Sequence, residues 1–295
     1  MTLYATGSHR WARTSDVGGW GILVAVTSPY TDLGRPPLRA SALRAALVVP
    51  HGLWSELRVV EETGSTNADV AAAAAAGTLE GLVLAAENQS AGRGRVDRVW
   101  TAPARSGLAV SVLLRPPPAT RSAWGWLPLL AGLSVAASLR HLSGLDVGLK
   151  WPNDVLIGQR KVAGILAEVV GDAVVLGIGI NVSLREDELP VPSATSLRLA
   201  GSEVVDREPV LRAVLRDLER RFRVWRDADG NAEASGLSSD YRAACVTIGR
   251  DVTVHLPGGR ETAGRAVDVD GTGRLVVQTA DKVEALAAGD VVHVR

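Results

Sequence analysis

Read through its apolar positions, the chain has no sustained period before residue 37. Residues 1–36 carry Gly18-Gly19 and end in Gly34-Arg-Pro, which predicts a disordered or spurious N-terminal extension. Residues 38–48 fit one short helix. No second amphipathic helix follows across a tight turn, so a helix-turn-helix is not expected. From Trp54 onward the pattern is regular. Residues 57–60 read as a strand. The hydroxyl and amide side chains of Gly64-Ser-Thr-Asn67 then cap an alanine-rich helix over 68–76, ended by Gly77. A strand over 82–86 leads into a glycine- and arginine-rich loop over 88–106. A strand over 108–114 closes on three prolines, and 127–141 is an apolar helix. Three strands are predicted around 147–157, 162–170 and 173–182. Residues 208–226 form an amphipathic helix with Pro209 at its start and Leu211, Val214, Leu215, Leu218 and Phe222 on one face. Beyond Cys245, alternating runs such as Val252, Val254 and Leu256 are separated by glycine-containing turns. Four or five strands in roughly 50 residues predict a small β-barrel. The division is therefore 1–36, a main domain over 37–244, and a C-terminal domain over 245–295.

Composition narrows the function. A formal net charge of zero argues against a general nucleic-acid binder, which needs excess cations facing phosphates. A single cysteine, Cys245, leaves no disulfide framework or cysteine metal cluster and fits a cytoplasmic setting. The apolar run at 20–26 is too short for a membrane span, which needs roughly 20 residues. Of 32 basic residues, only Lys150, Lys161 and Lys282 are lysines. Where drift favours arginine, a retained lysine marks a place where a compact ammonium is needed, or a surface position that escaped.

Candidate chemistry lies in three places. The loop from Gln89 to Trp100 packs Arg93, Arg95 and Arg98 with Gly92 and Gly94. Such a segment suits closure over a charged ligand, with Trp100 as an anchor, though an Arg-Gly tract contacting RNA has the same texture. In the strand ending at Asn181, the period of two puts Gly177, Gly179 and Asn181 on one face. That leaves a groove floor, or the contact of a closely packed helix. Lys150-Trp-Pro-Asn-Asp154 joins a lysine and a turn to an amide and a carboxylate. Lys161 is followed by the small residues Ala163 and Gly164, so it can point into a pocket. Glu168 reads as a solvent-facing strand residue. Neither a Walker-type phosphate loop nor a dinucleotide fingerprint occurs.

Taken in order, Gly64-Ser-Thr-Asn67, Gly92-Arg-Gly-Arg95 with Arg98 and Trp100, Lys150-Trp-Pro-Asn-Asp154, Lys161-Val-Ala-Gly-Ile-Leu-Ala-Glu168 and Gly177-Ile-Gly-Ile-Asn181 resemble the motif set of biotin protein ligases. The resemblance covers roughly residues 38–295. It implies an α+β fold: a central mixed β-sheet flanked by helices, of the class II synthetase-like kind, with an SH3-like C-terminal barrel. It implies biotin bound by Ser65, Thr66, Asn67, Gln89, Arg93, Gly94, Arg95 and Lys161. The nucleotide falls to Arg95, Arg98, Trp100, Lys150, Asn153 and Asn181. Lys161, Arg95 and Asp154 are the implied catalytic residues, Asp154 orienting either the incoming lysine or a metal. ATP and biotin are the implied substrates, Mg²⁺ is expected, and the partner is the biotin carboxyl carrier domain of an acyl-CoA carboxylase. Nucleic acid and membrane are not expected partners. The sequence departs from the family at Asp97, where glycine is usual, and carries no DNA-binding domain of the kind found in bifunctional members. Lipoate ligases share the fold and chemistry, but the arginine loop and Lys-Trp-Pro-Asn-Asp weigh against them.

Overall fold

The computed structural model describes residues 34–95 and 98–294. The expectations for residues 1–33 and for Asp97 lie outside the described residues. Residues 34–36, expected to belong to the extension, instead lie on the domain. Arg35 is buried, bonds the Ser183 carbonyl and pairs with Glu188, and the Pro36 carbonyl accepts from Arg207.

The main sheet has seven strands: β1 (Glu56–Thr63), β2 (Leu82–Gln89), β3 (Gly107–Leu114), β4 (Val147–Lys150), β5 (Asp154–Ile157), β6 (Arg160–Val170) and β7 (Ala173–Asn181). Their order is β1-β2-β3-β7-β6-β5-β4, with β1 and β2 parallel and every other pair antiparallel. The sheet is therefore mixed, as expected. The strand expected over 147–157 is two, β4 and β5, joined by a turn at Trp151-Pro-Asn. Proline cannot donate to a ladder, so the run turns there.

Helices α1 (Ala40–Leu47), α3 (Trp126–Ser143), α4 (Arg207–Asp227) and α5 (Leu237–Ala244) enclose the large apolar core with one sheet face. Every apolar residue expected on the inner face of α4 is buried. The short α5 was not anticipated, although its Leu237, Tyr241 and Ala244 all face inward. On the opposite sheet face lies α2 (Thr66–Ala75), over a small cluster of Val70, Leu84, Leu113 and Val175. At ten residues, α2 covers only part of that face. The remainder is left for a ligand.

The C-terminal sheet is antiparallel, in the order β11-β10-β9-β8-β12: β8 (Asp251–His255), β9 (Glu261–Val269), β10 (Leu275–Gln278), β11 (Val283–Leu286) and β12 (Asp290–His293). Two buried tryptophans tie it to the main domain. The Trp126 indole donates to the Asp270 carbonyl and that of Trp151 to the Gly273 carbonyl, both at 3.1 Å. The turn holding Gly273 comes so close to Gly125 that a Cβ on Gly273 would lie 2.7 Å from the Gly125 carbonyl carbon, and its φ is +87°. Glycine meets both demands.

Candidate functional site

The strand registers pave the open half of the sheet with small residues. Ala109 on β3 faces Gly179 on β7, Gly179 faces Gly164 on β6, and Gly164 faces Asp154 on β5. One row further along, Ser111 faces Gly177. The result is a trough crossing four strands, and both readings of the glycine face hold in part. Gly177 is covered by the side chain of Asn67 on α2, whereas Gly179 lies under the ring of Trp100. A Cβ on Gly179 would come 2.5 Å from Trp100 Cε2.

The trough opens into a cavity of about 1080 Å³. All fourteen side chains or backbone positions singled out in the sequence line it: Ser65, Thr66, Asn67, Gln89, Arg93, Gly94, Arg95, Arg98, Trp100, Lys150, Asn153, Asp154, Lys161 and Asn181. They come from β2, α2, the arginine loop, the β4–β5 hairpin, β6 and β7.

One end is polar, and the single carboxylate that reaches it, Glu168, is matched by Arg93. Ser65 caps α2, accepting from the Ala68 N–H. The N–H and hydroxyl of Thr66 donate to Gln89 Oε1 at 2.8 and 3.0 Å. Ser111 Oγ lies 2.8 Å from Thr66 Oγ1 and 2.6 Å from Asn67 Oδ1. Sequence reasoning missed Ser111, though it is the one polar residue in the apolar run of β3. A fully buried hydroxyl in such a strand requires partners, and that was the available signal. Asn67 Nδ2 donates to Glu168 at 2.7 Å, and Arg93 reaches the same carboxylate at 3.2 Å. Glu168 is thus not a plain solvent-facing strand residue, because β6 turns its side chain toward α2 and the loop.

The other end is cationic. Six cations line the cavity among the described residues, Arg93, Arg95, Arg98, Lys150, Lys161 and Arg250, against two carboxylates, Asp154 and Asp290. Arg93 is matched by Glu168, so in a chain of zero net charge the local surplus is about three charges, which favours an anionic ligand. Lys161 Nζ pairs with Asp154 at 2.6 Å and lies 5.8 Å from the centre of the Trp100 ring. Its backbone is fixed by Ser193 and Thr195, and Asn181 Nδ2 donates to the Thr195 carbonyl at 2.9 Å. Arg95 donates to Asn153 Oδ1 at 3.1 Å, while Asn153 Nδ2 donates to the Ile165 carbonyl. Asn153 therefore aims Arg95 into the cavity. Arg98 pairs with Asp290 of the C-terminal sheet. Burial lowers the Arg95 guanidinium from its ordinary range. The Lys150 ammonium is also lowered, first by burial; Asp154 opposes this, while Lys161 and Arg98 add to it. Arg250, Asp290 and His293 come from the C-terminal domain and carried no signal in the sequence, because nothing near them resembles a motif.

Fold and site together define a trough with hydrogen-bonding groups at one end and an excess of cations at the other. The corresponding family model, the biotin/lipoate A/B protein ligase family, matches residues 63–184, and the biotin protein ligase C-terminal domain matches 247–294. The chain is 46% identical to the biotin–[acetyl-CoA-carboxylase] ligase of Mycobacterium tuberculosis, over 90% of this chain and 98% of that one. It is 32% identical to the bifunctional ligase/repressor BirA of Bacillus subtilis, over 72% of this chain and 66% of that one. The biotin protein ligase of Aquifex aeolicus, solved with biotin and ATP, superimposes with a TM-score of 0.68 at 28% identity, covering 82% of this chain and all of the other. The chain belongs to the biotin protein ligase family.

Proposed function

We infer that this chain activates biotin with ATP to biotinoyl-5'-AMP and transfers the biotinoyl group to a lysine of the carrier domain of a biotin-dependent carboxylase. The observation that carries this is the polarity of the trough: neutral hydrogen-bonding groups at one end, unbalanced cations at the other, and Lys161 where they meet. Biotin's ureido ring is uncharged and presents both donors and acceptors, so Ser65, Thr66, Asn67 and Gln89 suit it. Arg93 and Gly94 close over it. Its carboxylate then falls at Lys161, beside the α-phosphate.

The first step joins a carboxylate oxygen to the α-phosphorus and expels pyrophosphate. Two anions must meet, and the Lys161 ammonium and Arg95 guanidinium lower the repulsion between them. Trp100, Arg98, Lys150, Asn153 and Asn181 hold the nucleotide. The described residues contain no cluster of three metal-binding groups. Mg²⁺ would come with the phosphates and supply charge neutralisation there, and Asp154, a carboxylate of the cavity, would be available to hold it. In the second step the acceptor amine attacks the carbonyl and AMP leaves, and Asp154 would orient the incoming nitrogen. The enzyme contributes position and charge and needs no nucleophile of its own. No described helix is long and apolar enough to cross a membrane. The test is incubation with biotin, ATP, Mg²⁺ and a carrier domain. A gain of one biotinoyl mass on the carrier supports the reading; no gain, or a gain with lipoate and none with biotin, refutes it.

A further inference from the structure

The hydrogen-bonding end of the trough carries a shortfall that its own residues do not make good. Four oxygens run in a row, Gln89 Oε1, Thr66 Oγ1, Ser111 Oγ and Asn67 Oδ1, spaced 3.0, 2.8 and 2.6 Å apart. Each contact in such a row needs one proton between its two oxygens. Only the Thr66 and Ser111 hydroxyls bring one. Three contacts therefore share two protons, however the hydroxyls turn.

Neither amide is free to turn round and supply the third. A side-chain amide presents an oxygen on one side and two donors on the other, and its partners decide which way it faces. Gln89 is fixed by the Thr66 backbone N–H, which donates to its Oε1 at 2.8 Å. Nε2 in that place would set donor against donor. Asn67 is fixed by Glu168. Its Nδ2 donates to Glu168 Oε2 at 2.7 Å, and a carboxylate has no proton to give back. Arg93 donates to the same oxygen at 3.2 Å, a second bond that only an acceptor can receive. Without Glu168, Asn67 could turn Nδ2 toward Ser111 and complete the row from within: Asn67 to Ser111, Ser111 to Thr66, Thr66 to Gln89. The shortfall can be passed along the row from the fully buried Ser111 to Thr66 and Gln89, which line the cavity. There it faces whatever occupies the cavity.

We propose that Glu168 determines specificity for the head group of the acid: by fixing Asn67 it leaves the row one proton short, so the pocket favours a head group with an N–H donor and disfavours one with none. This rests on the ligase reading and deepens it, since a ureido ring brings N–H donors and an aliphatic or dithiolane end brings none. A donorless ligand that displaces water from Thr66 leaves two oxygens facing each other without a proton. Glu168 acts through Asn67 and Ser111 and is a positioning residue.

Two variants remove the shortfall by different routes. Glu168→Met keeps the length of the side chain and takes away the acceptor. Ser111→Ala shortens the row without touching Glu168 or Arg93, so it tests the row even if Glu168→Met does not fold. Both, and the double variant, are compared with the full-length parent in adenylate formation, read as pyrophosphate released. Two constants are measured: KM for biotin, and the inhibition constant of octanoate, an acid with a chain and no head-group donor. Each single variant should raise KM for biotin about tenfold with kcat within about threefold, while the octanoate constant stays the same or falls. The double variant should match the singles within about twofold, because either change alone already ends the shortfall. The proposal is overturned if KM for biotin does not move, or if the two changes multiply. It is also overturned if biotin and octanoate weaken by equal factors, as a collapsed pocket or an unlatched arginine loop would produce. A parent protein that forms no adenylate from biotin would refute the ligase reading, and the proposal with it.

Discussion

Gly164 lets Lys161 lie where it does. A Cβ at position 164 would stand 3.1 Å from the Lys161 ammonium and 3.2 Å from the Trp100 ring. The ammonium is thereby held over the trough floor, against Asp154. In the role proposed for it, replacing Lys161 with alanine removes the charge that would offset the meeting of carboxylate and phosphate. We expect adenylate formation to fall by about 10²–10³, with a melting temperature unchanged within error, since the side chain is part-exposed. Lys161→Arg should be nearly as poor, because the planar fork needs more room than the glycine leaves. Adenylate formation at the parental rate in either variant would remove Lys161 from the reaction. Arg95 has a different part. It is held by Asn153 and reaches the Gly289 carbonyl, so it ties the arginine loop to both domains. Arg95→Gly cuts those ties and adds chain entropy, roughly 1–2 kcal/mol per residue set free. The adenylate should then escape before the acceptor arrives and label lysines of a bystander protein, which mass spectrometry would detect. Labelling confined to the carrier domain would show that Arg95 does not retain the intermediate.

At the level of elements, the entry to α4 is joined to the sheet by a charged pair buried on both sides. Arg207 and Glu87 lie 2.6 Å apart at 4% and 2% side-chain exposure. Glu87 also accepts from the Leu38 N–H, and Arg207 donates to the Pro36 carbonyl. One pair thus fixes β2, α4 and the chain leading into α1. Glu87 precedes Gln89 by two residues, so it also sets the end of β2 that carries this cavity-lining amide. Arg207→Met leaves a carboxylate buried without its counter-ion. The loss should be about 3–5 kcal/mol in denaturant unfolding, while a loss below about 1 kcal/mol would mean that the pair is replaceable by packing. The helices were legible in the sequence where they were long and periodic, as α4 was. The division of 147–157 into β4 and β5 was less so, because both strands are apolar and a single Pro-Asn step separates them.

Across the whole molecule, His293 couples the two sheets through Thr247 and the Trp151 peptide. Its pKa is about 4 in the folded protein and 6.5 in its ordinary state. Between those values the unfolded chain binds a proton that the native one refuses. The contribution to stability is therefore complete above about pH 6.5 and is lost as pH falls toward 4. Lys150 and Arg250 both face the ring and strengthen the effect. The melting temperature of the parent should fall more steeply between about pH 7 and pH 5 than that of His293→Gln. Parallel curves would show that the ring titrates normally.

What the sequence determined by itself was the local chemistry: the cap on α2, the arginine loop, the hairpin lysine, the glycine face of β7 and the alternating strands after Cys245. Each follows from neighbours within a few residues, which fix backbone conformation and side-chain direction. Tertiary structure alone decided which of these meet. Gly164 and Gly179 became one floor because β6 and β7 pair in that register, and a slip of one residue would have turned both away. Ser111 and Glu168 joined the site through contacts across 44 and 101 residues of chain, and Arg250 and His293 by lining the same cavity, over distances at which no spacing rule operates. The excess of cations was likewise invisible in a net charge of zero. Charge acts through space, and it was the fold that gathered six cations onto the wall of a single cavity.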